Sequence, residues 1–85
     1  MNDLTIKIKE LPDTILGFYT NINNCEYIVL NDKSKEQQQL LAYLGCMYYK
    51  KQGCYCGKIT IDDIDNENFE PIKYAKEKLK MILGE

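Results

Sequence analysis

An α+β fold is predicted for this chain: a small sheet of three to four strands packed against a long central helix, with a C-terminal helix beside it. Three observations carry the prediction. Residues 4–31 contain three short runs with strand patterning, residues 34–53 form one long run with helical spacing, and residues 70–84 form a second. Eighty-five residues supply one domain, residues 1–85, since a chain of this size buries only about 60% of its unfolded surface even when it folds as a unit. No internal repeat or low-complexity segment interrupts the order.

In Leu4–Lys9, Leu4, Ile6 and Ile8 alternate with Thr5, Lys7 and Lys9, the period of a half-buried strand. Leu11, Pro12 and Asp13 interrupt it, because proline has no donor for a ladder. A second strand is expected from Ile15 to Thr20 and a third from Glu26 to Asn31. Asn21, Ile22, Asn23 and Asn24 join them, and asparagine tolerates the left-handed backbone of a tight hairpin. The unbroken run Tyr27, Ile28, Val29 and Leu30 predicts a strand covered on both faces.

The long helix is expected to start at Ser34, an N-cap residue with Gln37 three positions on, and to end at Gly53. Lys50 and Lys51 fall in its last turn, where the negative end of the helix dipole favours them. At helical spacing Gln37, Leu40, Leu41, Leu44, Met47 and Tyr48 form a core-facing stripe. The opposite side carries Gln39, Ala42, Tyr43, Cys46, Tyr49 and Lys50, and is less polar than a purely solvated face. After Gly53, Lys58–Ile61 has the residue types of a short strand, with Ile59 and Ile61 in phase. Asp62–Asn68 is an acidic loop without the glycine and spacing of a calcium-binding loop. Pro71 opens a second helix with Ile72, Ala75, Leu79 and Ile82 on one face, and Gly84 stops it.

Composition narrows the function. A hydrophobic fraction of 45% beside 28% charged residues belongs to an ordinary globular domain. The net charge is −2 and all 11 cations are lysines, so the forked guanidinium contacts of nucleic-acid readers are missing and no nucleic-acid partner is expected. Lys50, Lys51 and Lys58 are read as solvated surface, and Tyr19, Tyr27, Tyr48 and Tyr74 as packing rather than a base-stacking platform. The charged N-terminus MNDLTIKIKE is unlike a signal peptide, and no run approaches the roughly 18 apolar residues of a membrane span. A cytoplasmic location is expected, with Cys25, Cys46, Cys54 and Cys56 as free thiols.

Leu11-Pro12, Gly17-Phe18, Tyr27-Ile28-Val29-Leu30-Asn31, Ser34-Lys35-Glu36-Gln37-Gln38 and Leu44-Gly45 follow one another in an order and spacing that resemble the ImmA/IrrE family of zincin-like metallopeptidases. Glu70-Pro71-Ile72-Lys73-Tyr74-Ala75 is similar to the segment in which that family supplies an acidic zinc ligand. The resemblance implies a zincin-like sheet and helix arrangement. Set on Leu44-Gly45, it places Ala42 and Cys46 where the family has its two zinc-binding histidines and Tyr43 where it has the catalytic glutamate. The chain contains no histidine. Ala42 offers no lone pair, and a tyrosine with an ordinary pKa near ~10 is no general base at neutral pH.

What the resemblance implies is a non-catalytic, protein-binding accessory of a prophage or mobile element, without a cofactor. In the family, active members cleave a partner repressor, so the expected partner is a transcriptional regulator. The former active-site positions Ala42, Tyr43 and Cys46, with Gln39, Tyr49, Lys50 and Glu70 around them, are the expected binding groove. Plain packing of Ala42, Tyr43, Cys46 and Tyr49 beneath residues 54–61 or the last helix is the competing reading. Two further readings stay open. One is a metal-binding or thiol-redox module on Cys25, Cys46, Cys54 and Cys56, although C-x-C matches the usual zinc knuckle poorly. The other is a structural homodimer joined through Tyr48, Tyr49 and the apolar return strand.

Overall fold

The computed structural model of the chain describes residues 3–84. Its four strands form one mixed sheet: β1 (Asp3–Lys9), β2 (Ile15–Ile22), β3 (Cys25–Asn31) and β4 (Cys56–Thr60), in the order β1-β3-β2-β4. Helix α1 (Glu36–Lys51) connects β3 to β4, and a 3₁₀ turn at Asp62–Asp65 leads to α2 (Glu70–Leu83). The fold class is α+β, as predicted. No helix among the described residues is long and apolar enough to cross a membrane.

The hairpin between β2 and β3 turns on Asn23 and Asn24, whose φ angles of 51° and 68° are left-handed, as a two-residue hairpin turn requires. The predicted four-residue turn is therefore shorter, and β2 reaches Ile22. β3 is interior, antiparallel to β2 and parallel to β1, with Leu4 opposite Glu26, Ile6 opposite Ile28 and Ile8 opposite Leu30. Its run Ile28, Val29 and Leu30 is buried. The expectation of cover on both faces needs correcting, since both helices lie on the side of Ile28 and Leu30. On the other side Val29 is flanked in register by Lys7 and Phe18, whose side chains stand in for a second layer.

α1 lies across β2, with β3 and β4 to either side, while its outer flank carries α2. It is therefore buried along two stripes. Ala42 and Cys46 join Leu16, Tyr19, Ile28, Leu30, Ile59 and Ile72 in the main core, and Leu41 and Leu44 pack with Ala75 and Leu79 of α2. The predicted core stripe was right for Leu41 and Leu44 and wrong for Gln37 and Leu40, which are exposed. Small residues let the layers approach: a Cβ on Gly17 would stand 3.3 Å from the Ala42 Cβ, and one on Gly45 would stand 2.9 Å from Ile59 Cδ1.

Several boundaries move from their predicted places. Lys35, not Ser34, is the N-cap of α1. Its backbone N–H donates to Gln38 Oε1 at 3.3 Å, and the buried Ser34 hydroxyl has no partner. The C-terminus is as expected: Gly53 is left-handed (φ 74°), its N–H donates to Lys50 O, and that of Cys54 donates to Tyr49 O, the Schellman arrangement. β4 starts at Cys56 and stops before Ile61, which is exposed. A bulge between Ile15 and Gly17 shifts the β2–β4 register, and Leu16 lies in the core. On α2, Ile72 and Ala75 are buried and Leu79 half-buried, but Ile82 is exposed. Leu83 sits beside Gln37, where α1 begins, so the last turn of α2 has little apolar surface to cover.

Candidate functional site

Asn31 is the hinge of the corner where β3 turns into α1. Its side chain is 2% exposed. The amide Nδ2 donates to Leu11 O, Pro12 O and Ile15 O, and Oδ1 accepts from the Lys33 N–H at 3.0 Å. Gln39 Nε2 donates to the Asn31 carbonyl at 3.0 Å. The Leu11-Pro12 turn, Asn31 and the first turn of α1 are thus tied through one side chain. Gln39, an expected groove residue, serves this corner.

The other expected site residues point in different directions. Ala42 and Cys46 are fully buried between α1 and the sheet, and burial pushes the Cys46 thiol up to about 12. The Tyr49 ring lies over Gly57, and its hydroxyl donates to Lys58 O at 3.0 Å. Burial, with Asp63 nearby, pushes this phenol up to about 12. Lys50 Nζ stands 3.8 Å from Glu26 Oε1. Tyr43 is half-buried, and Glu70 is exposed at the first residue of α2. The expected groove of Ala42, Tyr43, Cys46, Gln39, Tyr49, Lys50 and Glu70 is not one cleft, because its central positions fill the contact between helix and sheet. Plain packing, the competing reading, describes Ala42 and Cys46 in the main core and Tyr49 against Gly57 of β4.

These residues do not suit the zinc that active members of the resembled family hold. Ala42 has no donor atom, Cys46 is sealed in the core as a thiol, and Glu70 lies on the surface. A catalytic zinc needs three protein ligands around an open position. The cysteine set is not assembled either: Cys25 and Cys56 are exposed, Cys54 is partly exposed and Cys46 is buried. Among the described residues no group of three or more His, Cys, Asp or Glu side chains is placed to hold a metal. The return strand and tyrosines expected as a dimer contact are engaged within the chain. β3 has a neighbour on each side, and the Tyr48 ring packs 5.4 Å from Tyr74.

Two features escaped the sequence reading. The first is a buried polar cluster. Glu26 is 2% exposed and accepts the Tyr19 hydroxyl at 2.6 Å through Oε2, while Oε1 has Lys50 at 3.8 Å and no hydrogen bond. Desolvation and the Glu26 carboxylate push the Tyr19 phenol up to about 12. The signal was parity: Glu26 shares a face with Ile28 and Leu30. The second is an uncovered strip. β1 lies largely outside the footprint of α1, so Ile6 and Ile8, on the same face as the half-buried Leu4, are 48% and 59% exposed. Beside them Leu30, Glu36, Gln39, Leu40 and Tyr43 line an open groove of about 340 Å³. The half-covered sheet therefore offers an apolar floor of β1 and β3 and an apolar wall of α1.

No protein-family model, curated protein or solved structure matches the chain.

Proposed function

We propose that this chain is a non-catalytic protein-binding domain, a short and degenerate ImmA/IrrE-like protein whose zincin-like scaffold has outlived its reactive groups. In this reading it acts in the cytoplasm as a regulatory accessory of a prophage or mobile element and meets a transcriptional regulator or repressor. The observation that carries the binding role is the strip of Ile6, Ile8, Leu30, Leu40 and Tyr43. Three of these, Ile6, Ile8 and Leu40, are large apolar side chains more than one-third exposed, and contiguous exposed apolar surface on a small domain marks an interaction site. The absence of catalysis rests on composition. There is no histidine in the chain, and the position of the family's general base is a tyrosine, Tyr43.

In this reading the binding surface is the β1 side of α1, not Ala42 and Cys46. The test is site-specific photo-crosslinking in the host cell, with a photoreactive phenylalanine at Ile8, at Leu40, and at the exposed Glu70 as control. Adducts to a protein are expected at Ile8 and Leu40 but not at Glu70. Equal labelling at all three positions, or hydrolysis of a repressor by the purified chain that a chelator abolishes, overturns the reading.

A further inference from the structure

We infer that β1 pairs with β1 of a second copy, antiparallel and centred on Ile6, so that two chains share one eight-stranded sheet. The inference starts from the edge. β1 is an end strand of seven residues with only β3 beside it, and an end strand presents unpaired N–H and C=O groups that template another strand. The opposite end, β4, has five residues.

Register and charge then select the partner. In an antiparallel pair directly opposed residues share a face, so one-residue slips would set the apolar Leu4, Ile6 and Ile8 against the polar Thr5, Lys7 and Lys9. Centred on Ile6, the sequence Asp3-Leu4-Thr5-Ile6-Lys7-Ile8-Lys9 is complementary to itself. Ile6 meets Ile6 on the dyad, and Leu4 meets Ile8, Thr5 meets Lys7 and Asp3 meets Lys9, each of these three pairs twice. Centring on Lys7 sets lysine against lysine. Centring on Thr5 sets Ile8 and Lys9 opposite Asn2 and Met1, outside the described residues. The Ile6 register alone joins all seven residues with opposite charges at both ends. Neither Asp3 nor Lys9 has an ion pair among the described residues, so each is free for the other copy. Such self-complementarity is what a two-fold interface requires.

The dyad stands perpendicular to the sheet and keeps both helical layers on one side. Leu4, Ile6 and Ile8 of the two copies then form a continuous apolar floor, walled by Leu40 and Tyr43 from each. This use of the strip rests on the protein-binding reading above; the pairing itself stands on the edge and its charges.

Sedimentation equilibrium of the purified chain tests the pairing. Twice the monomer mass is expected at tens of micromolar. Lys9→Asp and Asp3→Lys, each of which sets like charges opposite one another, are expected to weaken the dimer by about tenfold, and the double variant to restore it. Circular dichroism of each variant reports whether the fold is kept. A wild-type chain that stays monomeric, or a dimer indifferent to the single reversals, overturns the pairing. A monomer that still gives Ile8 adducts to another protein sinks the pairing and leaves the binding reading standing. A monomer without such adducts sinks both.

Discussion

The Tyr49 ring lies so close to the Gly57 α-carbon that a Cβ at Gly57 would stand 2.5 Å from Tyr49 Cζ. The ring cannot swing aside freely, because its hydroxyl is bound to Lys58 O at 3.0 Å. The last turns of α1 are thereby fastened to β4. Gly57→Ala is expected to destabilise the protein by about 1–3 kcal/mol, the usual result of overpacking. In a Tyr49→Ala background the same substitution should cost close to nothing, since the ring it strikes is gone. Urea unfolding of the four variants of this cycle checks the coupling; additive effects would contradict the contact.

Asn31 makes a sharper prediction, because one amide serves three carbonyls, those of Leu11, Pro12 and Ile15. Asn31→Ala removes those donors. Asn31→Asp puts an acceptor, ionised near neutral pH, against Leu11 O, Pro12 O and Ile15 O. The aspartate variant is expected to be the worse of the two, by about 1–3 kcal/mol beyond alanine, since it adds repulsion and a buried charge to the lost bonds. Thermal unfolding at neutral pH and near pH 4 checks this, with the aspartate recovering part of its deficit as it protonates. An aspartate variant equal to alanine at both pH values would remove the carbonyl cluster from the explanation.

Much of the fold was legible because strand parity and the ends of each element are local signals. Leu4, Ile6 and Ile8 declared a strand, and Asn23-Asn24 a turn, without help from distant residues. The faces of α1 were less legible. A helix wedged between a sheet and a second helix buries two stripes, and Leu41-Ala42 and Leu44-Gly45-Cys46 blur the single stripe that a surface helix would show. Alanine, glycine and cysteine at the sheet side register weakly in apolar periodicity, yet they sit where the layers come closest. The candidate site suffered for the same reason. Ala42 and Cys46 were placed in a groove because their neighbours in sequence resembled a reactive helix, whereas their small size suits a tight interface. Conversely, the exposure of Ile6 and Ile8 could not be read from a strand that looks ordinary, since it depends on where α1 ends its cover.

Alkaline pH should unfold the protein earlier than its carboxylates would suggest. Tyr19, Tyr49 and Cys46 are neutral when protonated, and their folded pKa values stand at about 12 against ordinary values of 10.0 and 9.0. A raised folded pKa means that the folded state holds its proton more tightly than the unfolded chain. The contribution is complete below the unfolded pKa and disappears as pH climbs through the folded one. The urea midpoint is therefore expected to be flat up to about pH 9 and to fall steadily to about pH 12. Tyr19→Phe should make that fall shallower between pH 10 and 12. At neutral pH it should cost about 1–3 kcal/mol by leaving Glu26 Oε2 without its donor. Parallel pH profiles for the wild type and the variant would show that Tyr19 does not titrate with unfolding.

Reinstating imidazoles at Ala42 and Cys46 separates an inherited scaffold from an inherited site. If those positions still opened on a cleft, Ala42→His with Cys46→His would bind zinc and gain stability from it, because metal binding to the folded state adds to folding free energy. The structure predicts otherwise. The Ala42 Cβ already stands 3.3 Å from where a Cβ on Gly17 would be, and Cys46 is fully buried, so each ring would have to displace the sheet. The double variant is expected to lose about 3 kcal/mol or more, from overpacking together with polar nitrogens lacking partners, and to show the same urea midpoint with and without added zinc. A stable double variant whose midpoint rises with micromolar zinc would mean that α1 can present these positions outward, and that the cleft is closed here only by the side chains that fill it.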